Sequence, residues 1–139
     1  MEEKVLLSPD VLSRLRAFSM GLTGVVCLVY AALVVLTQTP DPISPWWPGL
    51  FGAATALIIA VSMFAAGARS AEMAMDELYR ARDHLAQRIG YWSALLLYPI
   101  FGFLIWQDHI SLMLAFPIMA TLTAAAYLIP HAILTGLAE

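Results

Sequence analysis

Four long apolar segments divide this chain, and every Lys and Arg lies on alternate stretches outside them. Lys4, Arg14 and Arg16 precede the first segment, and Arg69, Arg80, Arg82 and Arg88 lie between the second and third. No basic residue occurs from Ala17 to Ala68 or from Ile89 to Glu139. Basic residues flanking membrane spans are kept on the cytoplasmic side, so this alternation specifies a multi-spanning helical membrane protein. The expected orientation puts the N-terminal stretch, the 68–88 segment and the C-terminus in the cytoplasm.

Composition agrees. The chain is 61% hydrophobic and 12% charged, with a mean hydropathy of +0.80. Soluble domains are nearer about 45–50% apolar and about 25% charged, so much of this surface needs a solvent other than water. One integral membrane domain over 1–139 is expected: an all-α bundle of four transmembrane helices with an amphipathic cytoplasmic helical extension before the third span. The net charge of −3 excludes little. Nucleic acid is not an expected partner, because no large basic face exists. The single cysteine, Cys27, lies in an apolar run and reads as a small buried hydrophobe.

The first span is expected at about residues 17–37, close to the roughly 20 residues that cross a bilayer core. Its apolar run exceeds the h-region of a signal peptide, and no small-residue cleavage site follows, so it reads as retained. Ser8-Pro9-Asp10 reads as an N-cap, a proline at the first helical position and a first-turn acid. Arg14 and Arg16 are expected to reach lipid head groups. Residues 38–48 hold four prolines and read as a stiff extended link closed by the interfacial pair Trp46 and Trp47. The second span, about 47–66, carries Gly49, Gly52, Ala56 and Ala60 at three- and four-residue steps. Such a stripe admits a close helix neighbour, either the first or third span or a second protomer.

The 70–88 segment is the one sizeable polar stretch. Ser70 reads as its N-cap, Asp76 and Arg80 as a helical ion pair, and the helix as running unbroken into the third span, about 90–106. Met75, Leu78 and Leu85 fall near one side, interrupted by Arg82, so Met75, Leu78, Arg80, Arg82 and Leu85 are the candidate partner-binding residues. Gln107-Asp108-His109 reads as a tight turn, and the fourth span as about 110–133. Pro99, Pro117 and Pro130 are candidate kinks, and those near mid-depth would leave room for a lipid or apolar ligand.

The chemistry-bearing residues are sparse. No Asp, Glu, Lys or Arg lies within the four spans, which disfavours carriers driven by embedded charges. His131 near the end of the fourth span reads as an interfacial polar residue. A haem or metal role would need a second histidine at its depth, and His84 is the only one on that side. Met73 and Met75, with Met20 and Met63 nearby, read as lipid or partner contacts rather than a copper site. Asp76, Glu77 and Asp83 read as a solvated helix face, since no nucleophile, phosphate loop or ligand cluster accompanies them. No catalytic, cofactor-binding or metal residue is therefore assigned.

In layout the chain resembles many small bacterial inner-membrane proteins. The expected function is a non-enzymatic accessory or scaffold component, acting through helix packing and its cytoplasmic helix on a protein partner or a second copy. The alternative is a small oligomeric transporter or channel, whose lumen would gather Thr23, Ser62, Ser93, Tyr98, Thr121, Thr123 and Tyr127.

Overall fold

The computed structural model describes residues 8–44, 46–73 and 75–136, the side chains of 68–71 excepted. Lys4 lies outside the described residues. Four helices run in order: α1 (Pro9–Thr37), α2 (Trp46–Met73), α3 (Glu77–Trp106) and α4 (Leu112–Gly136). All four are long and apolar enough to cross a membrane, making this a multi-pass, all-helical chain.

The ends of the helices follow local chemistry. At α1, Ser8 Oγ accepts the Val11 N–H at 3.4 Å, Pro9 takes the first helical position and Asp10 the first turn, as expected. Gln38 closes the helix in the left-handed conformation at φ 54°. The link is shorter than predicted, because α2 already begins at Trp46. Pro48 fits there because the first helical turn needs no backbone donor. The Tyr30 hydroxyl donates to the Pro40 carbonyl at 3.2 Å and pins the link to α1.

The predicted unbroken run from 70 into the third span is incorrect at its start. The backbone breaks at Gly67 (φ 77°, ψ 163°), a conformation open only to glycine, and 68–73 continue as a short helical piece. Ser70 lies inside that piece and starts no helix. The cap of α3 is Asp76, whose Oδ1 accepts the Tyr79 N–H at 2.8 Å. With its carboxylate turned to the backbone, Asp76 makes no side-chain ion pair with Arg80. From Glu77 to Trp106 the helix is continuous, as expected. Asp108 (φ 56°) makes the tight turn, and Ser111 then caps α4, so that helix starts two residues later than predicted. Pro99, Pro117 and Pro130 all lie inside helices that continue past them.

Successive helices run antiparallel. α1 packs on both α4 and α2, and α4 packs on α3; the consecutive helices α2 and α3 share no packed interface. The square is thus open on one side. Near the proline-rich link, Tyr30, Ala31 and Val34 of α1 meet Ala115 and Ile118 of α4 and Phe101 of α3 in an apolar core. Near the opposite, basic end, Leu12 packs on Ala66, with Met63 against them. Cys27 is buried, as expected. Trp46 and Trp106 are exposed at helix ends, where indole rings suit a membrane interface.

The α1–α4 seam is the closest. A Cβ built on Gly24 would lie 2.8 Å from Ile129 Cγ1 and 3.0 Å from Leu128 Cβ, so only hydrogen fits. The expected stripe on α2 does not serve inside the chain. Nothing lies within 4 Å of a Cβ placed on Gly49 or Gly52, and Gly49, Ala56 and Ala60 are exposed. The side of α2 that meets α1 carries Phe51 and Thr55 instead.

Candidate functional site

The polar residues of this chain converge where sequence reasoning did not place them, at the basic end between α1, α3 and α4. On α3, Tyr79, Asp83, Ala86 and Gly90 recur at steps of four, three and four, which keeps them on one helix face. Gly90 lets that face approach: a Cβ there would lie 2.9 Å from Tyr127 Cβ. On α4, Tyr127, His131 and Thr135 recur every four residues, so they too share a face. The buried stripe of α1 contributes Arg16, one turn beyond Leu12.

Asp83 is the hub. Its Oδ1 accepts the Tyr127 hydroxyl at 2.9 Å and lies 3.0 Å from His131 Nδ1, while Oδ2 accepts Gln87 Nε2 at 2.8 Å. The Asp83 side chain keeps 23% of its surface open, whereas that of His131 has none. The His131 contact lacks hydrogen-bond alignment, so it is electrostatic, and Nε2 has no hydrogen-bond partner. Tyr79 meets the His131 ring edge-on at 5.7 Å, and Tyr127 lies tilted at 5.6 Å. The guanidinium of Arg16, 4% exposed, stacks 3.7 Å over the Tyr79 ring. Thr135 Oγ1 donates to the His131 carbonyl at 2.7 Å, anchoring the last turn of α4.

Two expectations are corrected here. Arg16 does not reach for head groups: its charge lies inside the chain, where an aromatic face attracts it. Asp83 is not part of a solvated face, because α4 brings two polar side chains to it. His131, expected as an interfacial polar residue, is enclosed by its own chain. His84, one residue from Asp83, points elsewhere and is exposed, so the two histidines do not come together. A buried imidazole and guanidinium beside a partly exposed carboxylate form an arrangement that hydrocarbon surroundings make costly unless the groups satisfy one another.

A second polar contact joins α1 to α2. The Thr23 and Thr55 hydroxyls lie 2.6 Å apart, and Thr55 also donates to the Ser19 carbonyl at 3.2 Å. The other hydroxyls scatter. Ser62 and Thr121 bond to their own helices, while Tyr98 and Thr123 border a groove of about 420 Å³ between α3 and α4, beside Gly102, Phe116 and Met119.

Of the candidate partner-binding residues, Leu78 and Leu85 are exposed at 55% and 45%, Arg80 is exposed, and Met75 and Arg82 are half-buried. They lie away from the Asp83 face. Met63 packs against Leu12 and Ala66 while Met73 is exposed, so the methionines do not form one group. Among the described residues, no group of three or more His, Cys, Asp or Glu side chains is placed to hold a metal ion. Comparison with protein-family models, with curated proteins and with solved structures finds no significant match to this chain.

Proposed function

We propose that this protein is a non-enzymatic accessory component of a bacterial inner membrane, with both termini cytoplasmic, that joins a membrane assembly through α2. The observation that carries this reading is the outward-facing run of Gly49, Gly52, Ala56 and Ala60 on a helix whose one packed interface, among the described residues, is with α1. In lipid, helices associate by close backbone approach, and small side chains are what permit it. The fitting occupant is another membrane helix, supplied by a larger complex or a second copy. Leu78 and Leu85, exposed with Arg80 beside them, supply a second contact surface near the basic end.

A transporter or channel has less support. Its polar lining would have to converge, and here Thr23 bonds across to α2, Tyr127 to Asp83, and Ser62 and Thr121 to their own backbones.

The test is the mass of the full chain extracted from its native membrane in mild detergent, measured by light scattering, with co-purifying proteins identified. Wild type is expected to travel above its own 15.2 kDa, and the double variant Gly52→Leu, Ala56→Leu to fall to that value. A wild-type chain that is strictly monomeric and carries no specific protein overturns the proposal.

A further inference from the structure

The groove between α3 and α4 carries an inference independent of what covers α2. It encloses about 420 Å³, the scale of a small-molecule site. Gly102 makes room for it, since nothing lies within 4 Å of a Cβ built there. Its walls are largely apolar, with Ile105, Phe116 and Met119 among them, and the hydroxyl-bearing Tyr98 and Thr123 interrupt them.

Both hydroxyls are available to a ligand. On the same helix as Thr123, Thr121 and Thr135 each donate at 2.7 Å to the carbonyl four residues back. Among the described residues, neither Thr123 nor Tyr98 has a hydrogen-bond partner for its hydroxyl. Such a group is costly in hydrocarbon until an acceptor meets it. Depth restricts what that acceptor can be. Tyr98 lies between Arg88 and Trp106, about 12–15 Å along the helix from each, and Thr123 lies near the middle of α4. In a hydrocarbon core about 30 Å thick, both stand near the centre of the bilayer. The esters of glycerolipids lie in the interfacial layers, out of reach of either hydroxyl.

We propose that the α3–α4 groove binds an isoprenoid quinone, with Tyr98 and Thr123 donating to its carbonyl oxygens. Such a lipid is uncharged and carries its acceptors on a ring that can lie among the acyl chains. The flat ring suits the aromatic side chains of Tyr98 and Phe116, and the Met119 thioether is a favourable neighbour for a ring edge. The first part of the prenyl tail fills the space beside Gly102, and the rest continues into lipid. A saturated acyl chain would fit the same walls but leave both hydroxyls unsatisfied. The assignment is of binding alone, with no bond made or broken.

The experiment is photolabelling of the full chain in phosphatidylcholine nanodiscs with an azido-benzoquinone bearing a ten-carbon tail, adducts being mapped by mass spectrometry. Adducts are expected within 98–105 and 112–123, and to fall at least fivefold under excess unlabelled quinone but not under the same mole fraction of hexadecane. Gly102→Leu, built into open space, fills the groove and is expected to cut labelling at least tenfold. The double variant Tyr98→Phe, Thr123→Val keeps the shape and removes both donors, and is expected to cut it at least fivefold with helicity unchanged. Adducts spread evenly over the four helices, competition by hexadecane equal to that by quinone, or full labelling of the double variant overturns the assignment.

Discussion

Gly24 and Gly52 are the same residue on neighbouring helices in opposite circumstances. Around Gly24, three atoms of Leu128 and Ile129 stand within 3.2 Å of where a Cβ would lie; around Gly52 there is open space. The α1–α4 seam is therefore a finished interface and the outer face of α2 an unfinished one. A small residue in a membrane helix is only a permission for close approach, and the neighbour decides whether it is used.

The contrast is breakable by substitution, read as helicity lost during denaturing-detergent titration of the reconstituted chain. Gly24→Leu should do the most harm. Leu128 Cβ and the Ile129 backbone nitrogen stand 3.0 and 3.2 Å from the new Cβ and cannot swing aside, so the seam must part, at about 3 kcal/mol for overpacking. Unchanged stability would show that the seam is not the close contact described. Thr55→Val should cost less, about 2 kcal/mol, since it removes the two hydrogen bonds of the Thr55 hydroxyl, to Thr23 and to Ser19, while keeping the volume. Its midpoint should lie between wild type and Gly24→Leu, and a loss as large as that of Gly24→Leu would make the α1–α2 contact the true foundation. Gly52→Ala should run the other way. An open position gains helix propensity, about 0.5–1 kcal/mol, so the isolated chain becomes slightly more stable. A measurable loss would mean that the outer face of α2 is already occupied within the chain.

The parts legible in the sequence were those set by one helix at a time. Apolar length gave the spans, and the Ser8-Pro9-Asp10 triplet gave the start of α1. The order of helices around the bundle is not written in any single segment, and the polar cluster depends on it. Arg16 and His131 meet the α3 face only because α1 and α4 are neighbours, and nothing in the spacing of either helix says so. Some of the signal was present. Tyr127, His131 and Thr135 share one face of an otherwise apolar helix, a pattern lipid would penalise unless a partner met it. Tyr79, Asp83 and Gly90 supply that partner at matching intervals, but the Met75, Leu78 and Leu85 side is more hydrophobic and gives the stronger sequence signal. The break at Gly67 was equally readable as the glycine that ends the second apolar run. The absence of Gly and Pro from 68 to 88 suggested a continuous rod, but the chain separates again ahead of Asp76, whose carboxylate caps a new helix.

The α1–α4 seam bears on how the chain is made. Pro9–Thr37 leaves the ribosome well ahead of Leu112–Gly136, yet these are the two helices with the closest fit. During synthesis the earlier one must wait in the bilayer beside α2, its glycine notch without α4 against it. Until α4 arrives, lipid or another helix must fill the notch at Gly24, a requirement of biogenesis that the mature form no longer displays.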